Sequence, residues 1–391
     1  MLIRSLTVVL LSSLFPSSLF AKEIISINSL EWQQIQSKIK AKPVKSLISE
    51  PGATRLEISD GEIQKLSTIM HERFHKCGGF FTEEVGLLPP TKATGLAPFE
   101  AAFYNIDQNE AVQRFLGDVD ELKMLATIQH LSSFKNRYYQ SEYGIASQNW
   151  IKDTWSQLVK DIPHASVELR HHASFAQPSV ILTFRGSKLP NEYIVIGGHG
   201  DSILNYSRNP QMKAPGADDN ASGIATLTEV LRVLALGNFT PDRSVQFMAY
   251  AAEEVGLRGS QDIASDYRRQ NMNVKAVMQL DMTNYTSDGA DLVLINDNTN
   301  SVQNQFMGQL LETYLPSVRW TQDGCGYACS DHASWNRYGY RASFPFEAPM
   351  DDYNPNIHST EDTLAMSGNS ASHAAPFAKL GLAFVLELAA Q

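Results

Sequence analysis

The chain has 391 residues, 43% of them apolar, enough for a large core and for more than one domain. Its formal net charge is −10 and it has no basic tract, which argues against nucleic acid or an anionic membrane surface as a partner. The balance otherwise fits an ordinary soluble, exported enzyme.

The first 21 residues read as a signal peptide. Arg4 supplies the charged start, Leu6 to Leu11 and Leu14 to Phe20 an apolar region broken by Ser and Pro16, and Ala21 a small residue at the cleavage point. The run is too short and interrupted for a membrane anchor, and no later stretch is long and apolar enough to span a bilayer. The expected location is the periplasm or the extracellular medium. Residues 22 to 106 read as a small separate unit. Ser59-Asp60-Gly61 opens a helix over Ile63 to His75, and Gly78-Gly79 stops it. Gly86 to Pro98, with Pro89 and Pro90, reads as a linker open to proteolysis.

His71-Glu72-Arg73-Phe74-His75 matches H-E-x-x-H, in which two imidazoles one helical turn apart hold zinc and the Glu acts as base. The context is poor, because the segment precedes a linker and no third ligand follows on a neighbouring helix. The expectation is therefore a solvated or packed helix carrying two histidines by chance.

Asp107 to Leu158 reads as helical. Val112, Phe115, Leu116, Val119, Leu122 and Leu125 recur at helical spacing, as do Trp150, Ile151, Trp155 and Leu158, and both sets are expected to face the core. Strands follow over Ser166 to His171, Ser179 to Phe184 and Tyr193 to Gly198, the last apolar throughout, as in a strand buried on both faces. His171 and His172, with no acidic partner nearby, are assigned to the surface or a loop. A helix from Gly223 through Leu234, a buried strand from Ser244 to Ala252 and a polar helix from Gln261 to Gln270 come next. Strands Val274 to Met282 and Asp291 to Asn296 follow, and the chain closes with a helix from Ala375 to Ala389. This alternation predicts a layered α/β domain with helices on both faces of a sheet.

Three junctions carry chemistry. IGGHGDS, PGADDNASG and AAEEVGLRGS each end a predicted strand or open a loop before a helix, and each brings a His, Asp or Glu there. Open α/β sheets put their chemistry at the carboxyl ends of strands. With Asp281 in QLDMTNY and His358 in NPNIHSTEDTL, the candidate metal donors are His199, Asp219, Glu254, Asp281 and His358. Imidazole and carboxylate donors suit zinc, and with one carboxylate bridging, the five can hold two ions. The charges of two Zn(II), three carboxylates and a bridging hydroxide cancel. Glu253, beside Glu254 in the apolar run AYAAEEVGL, is placed to take a proton from an activated water. Asp201, two residues after His199, can accept the other imidazole N–H and orient the ring. Any one of these residues alone is equally well read as a hydrogen-bonded structural group; the set is not. Of three cysteines, Cys325 and Cys329 read as a disulfide in an oxidising compartment, with Cys77 left over.

The segments GGHGDS, APGADDNASGIATLTEVLRVL, FMAYAAEEVGLRGSQD, QLDMTNY, CGYACSDHASW and DDYNPNIHSTEDTL closely resemble those of the secreted bacterial leucyl aminopeptidases with two co-catalytic zinc ions. The resemblance runs from about Leu125 to the C-terminus. It implies an α/β fold of the zinc-peptidase, phosphorylase/hydrolase-like kind, with a mixed, mostly parallel central sheet sandwiched between helices and a small N-terminal pro-domain. It implies two zinc ions per monomer, His199 and Asp281 serving one, His358 and Glu254 the other, and Asp219 bridging them with a cis peptide to the next residue. Glu253 is then the general base, and Tyr327 helps hold the tetrahedral oxygen. The free α-amine of a peptide binds near the second zinc. Met282, Ile295, Cys325, Tyr327, Cys329, Phe346, Tyr353 and Ile357 match the lining of an apolar side-chain pocket, which implies Leu-like N-terminal residues. Phe344 and Met350 depart from the pattern and narrow or reshape that pocket. Asn220 stands where some such enzymes have Asp. Residues 22 to about 106 become a pro-segment, removed by a processing protease, with the H-E-x-x-H match inside it, and the mature protein is expected to be a monomer. The alternatives are another metal-dependent amide hydrolase or a glutaminyl cyclase on the same scaffold, a binding protein that has lost its site, and, more distantly, a zincin centred on His71 and His75.

Overall fold

A computed structural model describes residues 22–44, 52–83 and 104–390. The signal-peptide reading of residues 1–21 and the linker reading of Gly86 to Pro98 lie outside the described residues.

The N-terminal unit has its own small core. Strands β1 (Lys22–Asn28), β2 (Ala41–Pro43), β3 (Ala53–Ser59) and β4 (Phe80–Glu83) form an antiparallel sheet in the order β2-β3-β1-β4. Helices α1 (Ser29–Ile35) and α2 (Asp60–Ile69) pack on it through Trp32, Ile35, Ile63 and Leu66, against Ile25, Ile27, Leu56 and Ile58. The expected helix over Ile63 to His75 is corrected here. It starts at Asp60, ends at Ile69 and passes into a single π turn at Met70–Phe74, with His75 left-handed at φ 53°. A π turn breaks the 3.6-residue period, so His71 is buried while Glu72 and His75 are exposed.

The rest of the chain builds the larger domain. Helices α3 (Asn109–Leu116), α4 (Glu121–Ser133) and α5 (Glu142–Leu158) precede strands β5 (Ala165–Arg170), β6 (Ser179–Phe184) and β7 (Leu189–His199). Then follow α6 (Ala221–Leu236), β8 (Arg243–Tyr250), α7 (Arg258–Arg269), β9 (Asn273–Gln279), β10 (Leu292–Ile295) and α8 (Ser301–Tyr314). The last elements are β11 (Trp320–Asp323), α9 (His332–Arg337), β12 (Ala342–Ser343), β13 (Pro345–Phe346) and α10 (Ala375–Ala389). The six-stranded sheet has the order β12-β9-β7-β8-β6-β5. Its β12/β9, β9/β7 and β7/β8 pairs are parallel and its β8/β6 and β6/β5 pairs antiparallel, so the mixed, mostly parallel α/β expectation holds.

Both faces of the sheet are covered. On one, Ile196, Phe247 and Met278 meet Leu227 of α6, Trp155 of α5 and Phe384 of α10. On the other, Val195, Met248 and Val277 meet Ile263 of α7 and Trp335 of α9. That double burial is why Ile194 to Gly198 read as an unbroken apolar run. Leu122, expected on the buried stripe of α4, is 74% exposed; Met124, Ile128 and Leu131 make that stripe instead. The expected strand Asp291 to Asn296 belongs to a separate three-stranded sheet, β11-β10-β13, beside the main one. His172 is also corrected: it is buried, donates from Nδ1 to Asp262 at 2.6 Å and accepts at Nε2 from Ser179 Oγ at 2.8 Å. Ser179 in turn accepts the Ala251 N–H, bracing the end of β8.

Candidate metal centre

Three parallel strands end together, and their ends set the site. β7 finishes at His199, β9 two residues before Asp281, and β8 two residues before Ala252. Each predicted strand was drawn two or three residues too long at β8 and β9, because the backbone leaves the ladder in order to turn its acids inward. Ala252 (φ 56°), Leu257 (φ 56°), Met282 (φ 54°) and His358 (φ 55°) all take left-handed backbone, a cluster of strained non-glycine residues of the kind that gathers at functional sites.

All five expected donors converge. His199 Nε2 lies 3.1 Å from Asp219 Oδ1 and 3.2 Å from Asp281 Oδ1. His358 Nε2 lies 2.8 Å from Asp219 Oδ2 and 3.1 Å from Glu254 Oε2. Asp219 therefore presents one oxygen to each imidazole, which is how a carboxylate bridges two ions. The Asp219–Asn220 peptide is cis, as expected. Glu253 is 1% exposed, and neither of its oxygens has a hydrogen-bond partner; Glu254 Oε1 has none either. Buried carboxylate oxygens without donors are costly. A set of imidazoles and carboxylates with such orphaned atoms fits zinc-type cations, and the residues present suit two of them.

The electrostatics agree with that reading. Burial pushes both imidazoles down, yet Asp281, Asp201 and Asp219 hold His199 well above its ordinary range, and Glu254 and Asp219 do the same for His358. Burial acts to raise Asp219, but His358 and His199 keep it well below the usual carboxylate range. Burial lifts Glu253 well above that range, with His199 opposing.

Asp201 has partners beyond the one expected. It approaches His199 Nδ1 at 3.4 Å, but that nitrogen makes no aligned hydrogen bond. Its firm partners are the backbone N–H groups of Glu253 (3.0 Å) and Glu254 (3.3 Å), so it fixes the acid pair. Two further residues, Asp362 and Arg137, went unread in the sequence, and Asn220 was noted there without its structural role. Asp362 accepts the N–H groups of Asp218 and Asp219 at 3.0 and 3.1 Å and so fixes the bridge. Asn220 caps α6 through Gly223 N–H and donates to the carbonyls of His199 and Leu280. Buried Arg137 donates to the carbonyls of Gly200, Pro215 and Gly216, tying two ligand loops together. The only forward signal was the acid in HSTED for Asp362; the other two serve backbone atoms and announce nothing.

Beside the donors lies an apolar cavity of about 280 Å³. Met282, Tyr327, Phe344, Phe346, Met350, Tyr353 and Ile357 line it together with Cys325 and Cys329, while Ile295 packs in the cluster behind. Cys325 and Cys329 are joined as a disulfide. Phe344 packs between His332 and Phe346, with ring centroids 4.8 and 5.5 Å away.

The N-terminal unit reaches this cavity, contrary to the expectation that its histidines were unrelated to the site. Phe74, His75, Lys76 and Cys77 complete the lining. His71 Nε2 is 3.3 Å from Glu254 Oε2, and its ring is 4.5 Å from that of His358. Cys77 Sγ is 3.5 Å from His358 Nε2, and its N–H donates to Tyr327 Oη at 3.1 Å. His75 is exposed, so the two histidines do not form the zincin pair.

Comparisons with known proteins agree with one another. The model of peptidase family M28 matches residues 179–380. A probable aminopeptidase of Saccharomyces cerevisiae is 37% identical over 317 residues, covering 76% of this chain and 84% of the yeast protein. Leucine aminopeptidase 1 of Metarhizium robertsii is 36% identical over 296 residues, covering 72% of this chain and 73% of the fungal one. The crystal structure of the LapA aminopeptidase of Legionella pneumophila superposes with a TM-score of 0.81 at 26% identity, covering 95% of this chain and 99% of that one.

Proposed function

Because the chain belongs to peptidase family M28, we propose that it is an exported dizinc aminopeptidase, held inactive by its N-terminal unit until that unit is removed. The observation that carries the reading is Asp219, whose two oxygens face His199 and His358 in two adjacent donor groups. Paired donor groups favour two ions over the single-zinc cyclase alternative. Related proteins named as aminopeptidases support the reaction type, and the reading of residues 1–21 as a signal peptide supports export.

His199, Asp281 and Asp219 would hold one ion, and His358, Glu254 and Asp219 the other. Ions held there would supply Lewis acidity to the scissile carbonyl and to the attacking water. Glu253 takes that water's proton and delivers it to the leaving amine, the usual double duty of a general base. The Tyr327 hydroxyl donates to the developing oxyanion. The cavity bounded by Met282, Phe344, Phe346 and Ile357 binds the side chain of the first residue, which favours Leu-like substrates. In the full chain Phe74 to Cys77 wall that cavity off, which supports an inactive precursor. The Pro- and Gly-rich run within 84–103 is the proposed cleavage region.

The test is hydrolysis of leucine p-nitroanilide before and after limited proteolysis of the full chain within 84–103. Activity is expected after cleavage, abolished by a chelator and restored by zinc; N-acetyl-leucine p-nitroanilide should resist. Chelator-indifferent turnover would remove the metal from the mechanism. A cleaved, zinc-loaded protein that spares leucine p-nitroanilide would refute the aminopeptidase.

A further inference from the structure

His71 and Cys77 reach the donor groups themselves. His71 Nδ1 lies 2.7 Å from the Ser67 carbonyl oxygen, which can only accept, so Nδ1 carries the proton. The Nε2 lone pair then points at Glu254 Oε2, itself an acceptor, 3.3 Å away. Two acceptors in contact in a buried place need a proton or a metal ion between them. A backbone carbonyl on the far ring nitrogen is also how metal-binding histidines are usually fixed.

Cys77 closes the same group. Its sulfur is 3.5 Å from His358 Nε2, and donor atoms of His71, Cys77, Glu254 and His358 all lie within 4.8 Å of one another. The neighbouring separations of 3.1, 3.3 and 3.5 Å are close to the roughly 3.3–3.8 Å between donor atoms that share a zinc ion at bonds of about 2.0–2.3 Å. Asp219 Oδ2, 2.8 Å from His358 Nε2, brings the donors on this side to five. Glu254 Oε1 has no hydrogen-bond partner and is buried beside them.

We propose that His71 and Cys77 are metal ligands carried by the N-terminal unit, closing the centre at Glu254 and His358 with a thiolate and an imidazole. The inference rests on the metal-centre reading above. A catalytic zinc keeps a position open for water or substrate, whereas a fully protein-ligated one does not. With both donors in place, the position a substrate amine would take is filled from within the chain. Inhibition is then ligand competition as well as steric blockage, and removing the unit exchanges S/N donors for open positions.

The test uses the full chain loaded with Co(II) in place of zinc, read by absorption and by X-ray absorption at the cobalt edge. Because Cys325 and Cys329 are joined to each other, a thiolate ligand can come only from Cys77. A sulfur-to-cobalt charge-transfer band and one sulfur scatterer at about 2.3 Å are expected. Cys77→Ser should lose both and still bind cobalt; His71→Ala should keep the sulfur and lose one imidazole scatterer. Proteolysis within 84–103 followed by separation of the unit should abolish the band. Cobalt bound in the full chain with no sulfur signal overturns the ligation while leaving the metal centre standing. Failure of the folded chain to bind cobalt at all would overturn both.

Discussion

Glu253 is buried and, alone among the acids of the site, has no hydrogen-bond partner on either oxygen, so its replacement isolates proton transfer from metal binding. Glu253→Gln should retain both ions by elemental analysis while kcat of the cleaved enzyme falls by about 10²–10⁴, the usual worth of a general acid–base group. Tyr327→Phe separates a second role. It should lower kcat by roughly 10²-fold after cleavage if the hydroxyl serves the oxyanion, and in the full chain it frees the Cys77 N–H that the hydroxyl now accepts. A change in KM alone would assign Tyr327 to the pocket. His332 bears on stability. Its Nε2 donates to the Asp297 carbonyl at 3.0 Å and its buried Nδ1 has no partner, so a second proton finds no acceptor. Burial lowers it from 6.5 to about 4. A folded-state value below the unfolded one gives stability that is present above pH 6.5 and lost as pH falls through 4. The loss is about 3 kcal/mol by pH 4, and urea titrations at pH 7 and pH 4 should show His332→Gln spared most of it. At this scale the sequence disclosed what its motifs name: His199, Glu253, Glu254 and Asp281 sit where a strand pattern stops, Asp219 where a helix opens, and His358 in the loop NPNIHSTEDTL. It hid Asp362, Arg137 and the role of Asn220, whose partners are backbone groups 3 to 144 residues away. His71 was legible as a candidate ligand but in the wrong frame, since a π turn rather than an α-helix carries it and its partners stand 183 and 287 residues on.

At the scale of elements, the ends of β7, β9 and α6 must approach closely for His199, Asp219 and Asp281 to meet. Glycine permits it. A Cβ on Gly198 would stand 2.4 Å from the Leu280 carbonyl oxygen, and one on Gly223 would meet the same atom at 2.4 Å. Backbone cannot yield as a flexible side chain does, so Gly198→Ala should force β7 away from the Leu280–Asp281 turn. The expected cost is about 1–3 kcal/mol of stability, with a larger proportional loss of metal affinity, because the moved atoms carry ligands. A melting curve and a competitive zinc titration would check this; unchanged affinity would show that the junction relaxes elsewhere. The strands of the main sheet were readable because double burial writes an unbroken apolar run. Of the three-stranded sheet, β10 was read as the strand Asp291 to Asn296, whereas the two-residue β13 is shorter than any period can mark. The strands of the N-terminal unit went unread as well: β3 runs straight into the Ser59-Asp60-Gly61 helix signal, which drew the reading instead.

At the scale of the molecule, the N-terminal unit is docked by charge as well as by its insertion into the site. Arg258, buried at the start of α7, meets Glu23 of β1 and Asp60 of α2, the latter at 2.8 Å, and its guanidinium lies over the rings of Tyr139 and Phe175. Backbone contacts reinforce the joint: Thr82 N–H donates to the Gly256 carbonyl, and Ser67 Oγ donates to that of Glu254. Removing the unit's two carboxylates leaves a buried cation without an anion. Losing one side of a buried pair costs about 3–5 kcal/mol; because the Asp60 side chain is 32% exposed, the lower end applies. Glu23→Gln with Asp60→Asn should therefore leave the larger domain folded, loosen the unit and speed hydrogen exchange along β1 and α2. The same full-length variant should show leucine p-nitroanilide hydrolysis before any cleavage. Adding Arg258→Met removes the stranded charge and should slow exchange again, because an apolar side chain can occupy the space between Tyr139 and Phe175. Exchange and leak activity that both stay at wild-type levels in the double variant would mean that the segment from His71 to Cys77 holds the unit by itself, and that the ion pairs at Arg258 set only its orientation.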